Sequence, residues 1–310
     1  MPFVKATKTQ LKARVTLDGP TGAGKSLSAL YLARALAGPT GRIAGIDTER
    51  GSLKLYSDKV DFDVLELTPD TVGKDGVQGF SPKNFMDAIH EAEKAKYDVI
   101  VVDSLTHAWE GEGGALDLVD QATARSQSKN SYVAWRDVTP MHRKMVDAIL
   151  QSPCHVITTM RSQMDYLMEK DNNGKTTVTK IGLAPIQRKG MEYEFTLVGD
   201  MTVEHKLIIG KTRCDMMDGK VVTKPGVEFW MPFVAWLNEG DKAPVIIKPV
   251  GKLSLKEVLD WASETYGTPE TEAKEIMKAG GMTSYKTEDA GKVMSLITAA
   301  KTPVEAPVEA

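Results

Sequence analysis

Long apolar runs, cysteines and excess basic charge are all scarce in this 310-residue sequence. No run of about 18 apolar residues occurs, so the sequence predicts no membrane-spanning helix, and its first residues carry no apolar signal core. The two cysteines, Cys154 and Cys214, have no metal-binding spacing, and we expect no disulfide between them. The formal net charge of −3 gives no overall basic field, so contact with nucleic acid would depend on local segments. We expect a cytoplasmic protein with no membrane partner.

The most informative segment is Gly19–Ser26 (GPTGAGKS), which fits the phosphate-loop pattern G-x-x-x-x-G-K-[ST] at every fixed position. Glycines let backbone N–H groups curl around a phosphate, Lys25 supplies positive charge to it, and Ser26 supplies a hydroxyl to Mg²⁺. A predicted strand precedes the loop and a helix over Leu27–Leu36 follows, so a helix N-terminus would face the anion. We predict that the nucleotide is bound by Gly19, Pro20, Thr21, Gly22, Ala23, Gly24, Lys25, Ser26 and Leu27.

Strands alternate with helices over the first half of the chain. Strands are predicted at Arg14–Asp18, Arg42–Asp47, Asp63–Leu67, Tyr97–Asp103 and Cys154–Met160. Helices are predicted at Ser81–Glu93, within Gly114–Ser128 and within Val133–Leu150. This alternation predicts an α/β fold in which helices flank a mainly parallel, twisted sheet.

The pattern changes after Arg161, where short strands on either side of a turn-like segment at 171–175 predict a hairpin and further antiparallel strands. We predict a large domain over residues 1–240 and a linker over 241–252. A small helical domain over 253–301 and a disordered tail over 302–310 complete the predicted organisation.

Two acids follow predicted strands. Asp103 ends a buried strand, where its carboxylate can hold Mg²⁺ beside Ser26. Glu49 follows the strand Arg42–Asp47, where it could orient or deprotonate the water that attacks a phosphate. On spacing alone, a solvated loop acid explains Glu49 equally well.

The segment Gly45–Tyr56 (GIDTERGSLKLY) resembles the corresponding stretch of RecA-type recombinases. The resemblance implies a RecA-like P-loop ATPase that converts ATP to ADP and phosphate. It also implies that Glu49 is the catalytic base and that Tyr56 stacks against adenine. The strand Val156–Arg161 resembles the family's sensor strand, but Thr159 stands where the family usually has glutamine, so Thr159 is our candidate sensor.

Over about residues 12–237 the layout is most similar to phage-type, AAA-family ATP-binding proteins linked to single-strand annealing and recombination. This narrower resemblance implies a DNA-dependent ATPase that acts on single-stranded DNA, in the cytoplasm of a bacterial host if a phage encodes it. The features that carry it are Gly19–Ser26, Asp103–Ser104, Thr158–Arg161, Arg188–Phe195 and Lys211–Arg213.

An apolar predicted strand ends in the basic pair Lys211 and Arg213. A lysine or arginine finger stabilises charge on a transferring phosphoryl group and can come from another subunit. The pair resembles the K-x-R pair of ring and filament ATPases, so we predict that both residues act in trans in a homo-oligomer with an intersubunit ATP site. A solvated basic strand end is the alternative.

Two segments combine basic, amide and aromatic residues, the combination that single-strand binding uses. They are Arg125–Arg136 and Ser162–Lys189. We predict that the two segments jointly contact DNA, although for any single residue in them a structural role explains the sequence as well.

Two other functions are alternatives. One is a small-molecule kinase, in which Asp47 and Glu49 would bind an acceptor hydroxyl; the sequence weighs against it, because it has no Arg-rich lid and the K-x-R strand suits an oligomer. The other is a nucleotide switch or loader that binds a single-strand-binding or replication protein through its C-terminal helices.

Overall fold

The computed structural model describes residues 5–74, 76–126, 129–170, 176–241, 254–282, 284–286 and 290–301. For residues 165–170, 176–181, 261, 264–265, 291, 295, 298–299 and 301 it describes the backbone alone. The chain divides into two compact units, residues 1–241 and 242–310. The predicted turn at 171–175, the predicted linker beyond residue 241 and the predicted tail lie outside the described residues. Within the described ranges, every helix is too short or too polar to cross a membrane.

A mainly parallel sheet forms the centre of the first unit. Its strands are β1 (Arg14–Gly19), β2 (Ile43–Asp47), β3 (Asp63–Glu66), β4 (Val99–Asp103), β5 (His155–Lys170), β6 (Thr176–Pro185), β7 (Leu197–Met201), β8 (Lys206–Thr212) and β9 (Val221–Thr223). The order across the sheet is β3-β2-β4-β5-β1-β7-β8-β9, with β6 paired to β5 outside this path. The pairs from β3 to β7 are parallel, whereas β7–β8, β8–β9 and β5–β6 are antiparallel.

Helices cover both faces of this sheet. They are α1 (Lys25–Ala37), α2 (Pro82–Lys94), α3 (His107–Glu110), α4 (Ala115–Arg125), α5 (Ser131–Gln151) and α6 (Val227–Leu237). Helices α1 and α6 pack together, as do α2 and α5. One buried apolar cluster lies with α1 and α6, and a second lies with α2 and α5. The predicted fold class is thereby confirmed.

Local sequence accounts for the elements that position the site. Every residue of β4 (VIVVD) is buried, as expected of a parallel strand covered on both faces. Helix α2 begins as predicted, because Ser81 accepts a hydrogen bond from the backbone N–H of Asn84 and Pro82 occupies the first helical position.

The structure departs from the predicted elements in β5, α3 and α6. Strand β5 does not stop at Met160 but continues to Lys170, because residues from Ser162 onward pair with β6 instead of with the central sheet. Helix α6 (VEFWMPFVAWL) is apolar on most sides and contains Pro232, so it lacks the polar face that makes a helix recognisable in a sequence. Helix α3 has only four residues.

Three helices make up the described part of the second unit: α7 (Leu255–Tyr266), α8 (Glu270–Ala279) and α9 (Ala290–Lys301). Their shared core contains Val258, Ala273 and Ile297. A capping box, in which Ser254 and Glu257 bond each other's backbone, begins α7.

Candidate nucleotide-binding site

The phosphate loop connects β1 to α1 and places the start of the helix at the carboxyl edge of the sheet. Gly24 precedes the helix with φ 93° and ψ 18°, and no described side chain caps the first turn. Unpaired N–H groups at a helix N-terminus attract phosphate. Gly19 has φ +148°, and a Cβ there would lie 2.4 Å from the carbonyl oxygen of Met201.

Lys25 lies under the loop that precedes it. Its Nζ donates to the carbonyl oxygens of Gly19 at 2.9 Å and Pro20 at 2.8 Å. Burial lowers the pKa of Lys25, and the carboxylates of Asp103 and Glu49 oppose that effect. The amine is therefore held at the centre of the loop, close to the two acids that the sequence proposes for catalysis.

Asp103 ends β4 and is almost completely buried. Its Oδ1 accepts a hydrogen bond from Thr159 Oγ1 on β5, whereas its Oδ2 has no partner at hydrogen-bond distance among the described residues. Burial raises the pKa of Asp103, while the hydroxyls of Ser26 and Thr159 act in the opposite direction.

This donor set fits Mg²⁺. A buried carboxylate oxygen without a partner costs free energy that a cation offsets, and the adjacent Ser26 hydroxyl supplies a second hard oxygen ligand. The described residues contain no group of three His, Cys, Asp or Glu side chains suited to a metal. A magnesium ion held by one or two protein oxygens and by nucleotide phosphates needs no such group.

Glu49 is positioned by Asp47, the last residue of β2. Asp47 Oδ1 accepts from the Glu49 backbone N–H at 2.6 Å, and Oδ2 accepts from the Leu53 N–H at 2.9 Å. Burial raises the pKa of Asp47, and these two backbone hydrogen bonds oppose the increase. Because both oxygens of Asp47 bind backbone, this geometry does not favour Asp47 as a ligand of an acceptor hydroxyl.

The side chain of Glu49 is paired with Arg161, an interaction that the sequence did not predict. Arg161 donates to Glu49 Oε1 from Nε at 3.1 Å and from Nη2 at 2.9 Å. Arg161 lies on β5 opposite Gly19 of β1, so the sheet register brings it to the phosphate loop.

These groups share one cavity of about 680 Å³. Its lining includes the loop from Thr21 to Leu27, together with Glu49, Tyr56, Asp103 and Arg161. The structure thus brings most of the predicted site residues to one cavity, and Tyr56 lies on its wall. Contact of Tyr56 with adenine stays a prediction.

Sequence reasoning missed a further part of the cavity wall. It consists of Ser28, Tyr31, Met201, His205, Lys224, Pro225 and Gly226. His205 Nδ1 lies 3.1 Å from the carbonyl oxygen of Ala23, so it must carry the proton in this bond. His205 and Lys224 both have positive φ, at 60° and 51°, an uncommon backbone for non-glycine residues that could have been found only in the structure.

Five predicted residues are not part of the described lining of this cavity: Gly19, Pro20, Thr159, Lys211 and Arg213. The carbonyls of Gly19 and Pro20 accept the hydrogen bonds from Lys25 instead. Thr159 lies behind Asp103, to which its hydroxyl is bonded. Lys211 Nζ donates to three backbone carbonyls of its own chain, those of Glu192 at 3.2 Å, Tyr193 at 2.6 Å and Phe195 at 2.9 Å. Arg213, two residues further along, is exposed.

The two segments predicted to contact DNA meet at a second surface. A cavity of about 690 Å³ is lined by Trp109, Tyr132, Val133, Trp135, Arg136, Thr139, Pro140, Arg143 and Arg188, and we call it the Trp–Arg groove. The rings of Trp109 and Trp135 stack with centroids 5.5 Å apart, and Tyr132 is 85% exposed. The described lining contains three arginines and no acid. The side chains of Lys170, Lys175 and Lys180 lie outside the described residues.

A family model described as an AAA domain matches residues 11–223. The chain belongs to this family. Together with the phosphate loop, membership makes the protein an ATP-binding P-loop NTPase of the AAA type. No curated protein matches the chain.

Among solved structures, a KaiC-like protein from the hyperthermophilic archaeon Pyrococcus horikoshii is similar. It is 16% identical, with 67% of this chain and 83% of that chain covered and a TM-score of 0.37. Similarity at that level transfers no property of the archaeal protein to this AAA-family chain.

Proposed function

We propose that the protein hydrolyses ATP in a reaction that single-stranded DNA stimulates, as part of phage-type recombination or single-strand annealing. The observation that carries the hydrolysis step is the convergence of the phosphate loop, Asp103 and Glu49 on one cavity. The loop and Lys25 bind and orient the phosphates. Glu49 orients the attacking water and accepts its proton.

Ser26 and Asp103 are the residues that would hold Mg²⁺. The ion, when bound, neutralises charge that develops on the transferred phosphoryl group. The protein's own contribution is to exclude water from Asp103 and to fix its Oδ1 through Thr159, which leaves Oδ2 for the ion.

The Trp–Arg groove supports single-stranded DNA as the second ligand. Aromatic faces stack on bases of any sequence, and arginines bind the phosphates between them. Helix α5 supplies Tyr132, Trp135, Arg136 and Arg143, while Arg188 comes from the segment that follows β6. The chain as a whole has a net charge of −3, so the three arginines of the groove form a local basic surface on a slightly acidic protein.

Turnover measured with and without a single-stranded oligonucleotide tests the proposal. We expect steady-state phosphate release that rises several-fold when the oligonucleotide is added. Tight ATP binding without turnover would instead identify a nucleotide switch, and a phosphorylated small molecule would identify a kinase. Turnover that is the same with and without DNA would contradict the DNA-dependent part.

Assembly into a homo-oligomer with an intersubunit ATP site belongs to the same proposal. Arg213 supports it, because the residue is exposed at the end of β8 and available to a neighbouring copy. Turnover per subunit should rise with protein concentration in the wild type and stay flat and low in Arg213→Ala. Equal turnover for the two proteins at every concentration would exclude a finger at this position.

A further inference from the structure

The ion pair between Glu49 and Arg161 restrains the residue proposed as general base. Two Arg161 nitrogens contact Glu49 Oε1, and that oxygen is then occupied when a water must be activated. Both side chains are about one-third exposed, at 37% and 33%. An ion pair this accessible to water is weak and exchanges readily for another partner.

Helix α3 connects both members of the pair to the Trp–Arg groove. Thr106, immediately before α3, accepts a hydrogen bond from the Arg161 backbone N–H at 2.9 Å. Trp109 of the same helix stacks on Trp135 in the groove. His107 lies between them, with its Nδ1 2.7 Å from Thr48 Oγ1.

Thr48 completes the connection to Glu49, its neighbour in sequence. Its hydroxyl donates to the Ser104 carbonyl at 3.1 Å and accepts from the Ser104 N–H at 2.7 Å. His107 must therefore donate to Thr48 from Nδ1. Burial and the nearby Arg161 lower the pKa of His107.

A second connection runs through Gln187. Its Nε2 donates to the Leu105 carbonyl at 3.0 Å, and its Oε1 accepts from the Arg188 N–H at 2.9 Å and pairs with His142 Nε2 at 3.0 Å. The Ile186 N–H donates to the Arg161 carbonyl at 2.7 Å. Arg188 in the groove and Arg161 in the nucleotide cavity are thus joined by a short series of hydrogen bonds that includes the buried side chain of Gln187.

We propose that occupancy of the Trp–Arg groove is transmitted through α3 and Gln187 to Arg161, a positioning residue that restrains Glu49 until the groove is filled. The inference rests on the proposed DNA-stimulated hydrolysis and gives the means of stimulation. A strand stacked on Trp109 and bound to Arg188 shifts α3 and the segment Ile186–Arg188. Arg161 then releases Glu49 Oε1 to the attacking water.

Substitution of Arg161 tests the restraint directly. Arg161→Met keeps the length of the side chain but removes the charge, so kcat without oligonucleotide should rise several-fold toward the DNA-stimulated value of the wild type. The ratio of the stimulated to the basal rate should fall to about 1, with KM for ATP within about threefold. Arg161→Lys keeps a charge and should retain part of the stimulation. A fall of kcat in Arg161→Met under both conditions would overturn the proposal, because Arg161 would then assist the reaction.

Substitutions at Thr106 test the transmission without altering either ligand site. Thr106→Val preserves the shape and removes the acceptor for the Arg161 N–H, whereas Thr106→Ser retains the hydroxyl. We expect Thr106→Val to bind the oligonucleotide as the wild type does but to show little stimulation, and Thr106→Ser to remain stimulated. Equal stimulation in both variants, with folding confirmed by circular dichroism, would show that α3 does not transmit the signal.

The failures of the two proposals look different. A wild-type protein that oligonucleotide neither binds nor stimulates refutes the proposed function. A stimulated wild type whose Arg161→Met variant keeps both its low basal rate and its stimulation refutes only the restraint.

Discussion

Asp47 contributes to the site without facing the substrate. Its two carboxylate oxygens fix the backbone at Glu49 and Leu53, so the loop after β2 has a defined course before any ligand binds. A loop fixed in this way holds a general base close to the geometry that the reaction needs. Burial of Asp47 costs free energy that the two backbone hydrogen bonds offset.

Glu49→Gln should reduce kcat by at least about 100-fold, because general-base catalysis contributes about 10²–10⁴ in rate. ATP affinity should stay within about threefold, because the phosphates are bound by the loop and Lys25. Measured rates should be compared with those of Glu66→Gln, a matched change of an exposed acid at the end of the neighbouring strand β3. An active Glu49→Gln enzyme would remove Glu49 from the mechanism.

Asp18 predicts an unusual dependence of stability on pH. Burial, with a hydrogen bond and charge from Asp200, raises the pKa of Asp18 to about 8. The unfolded chain loses this proton near pH 4, so the folded state binds more protons between about pH 4 and 8. The contribution of Asp18 to the free energy of unfolding is therefore greatest at low pH and decreases as the pH rises from about 4 to 8.

Asp18→Asn removes this titration and should raise the melting temperature at pH 8 more than at pH 5. Thermal unfolding across that range measures the difference, with the exposed Asp218→Asn as a control. An equal effect of Asp18→Asn at both pH values would contradict the buried, protonated carboxyl.

Helix α5 makes one wall of the Trp–Arg groove, and adjacent residues on it allow a matched test. Arg143 lines the groove, whereas Lys144 is exposed and lies outside the groove lining. If Arg143 binds a phosphate, Arg143→Ala should reduce the slope of log affinity against log salt concentration by about 0.7. Lys144→Ala should leave the slope unchanged in the same fluorescence-anisotropy titrations. Equal slopes for both variants would place the DNA elsewhere.

The elements that the sequence predicted are those with strong local signals. The phosphate loop and β4 carry fixed residue types or a buried apolar run, and both lie where expected. Helix α3 has too few residues to show a period, although it links the groove to the nucleotide cavity. The pair of Glu49 with Arg161 joins residues 112 positions apart, so only the sheet register could reveal it.

Lys211 illustrates a second limit on prediction. From the sequence, a basic residue at the end of a strand is predicted to have an exposed, charged side chain. In the structure three carbonyls of the segment Glu192–Phe195 accept hydrogen bonds from its amine, and burial lowers its pKa. Every residue has a backbone carbonyl, so the residue types do not show which carbonyls accept these hydrogen bonds. Arg213 therefore carries the intersubunit proposal, and Lys211 organises its own chain.

At the scale of the molecule, every described residue that lines the nucleotide cavity lies in the first unit. The described lining ends at Gly226, and the first unit ends at Asp241. A chain truncated after Asp241 should therefore fold and bind ATP within about threefold of the full-length affinity, since a domain with its own core folds independently. Isothermal titration of the two chains measures this, and an insoluble truncated chain would show that the first unit depends on residues 242–310.

The close approach of the Met201 carbonyl to Gly19 distinguishes selection for folding from selection for ligand binding in the phosphate loop. At Gly19 any side chain would meet the Met201 carbonyl at 2.4 Å, whereas at Gly22, with φ +79°, no atom lies within 4 Å. In a library selected for folding alone, Gly19 should persist, while Gly22 should drift to Asn or Asp, which tolerate a left-handed backbone. Retention of Gly19 would then report the demands of the fold, whereas retention of Gly22 would report selection for the bound phosphate.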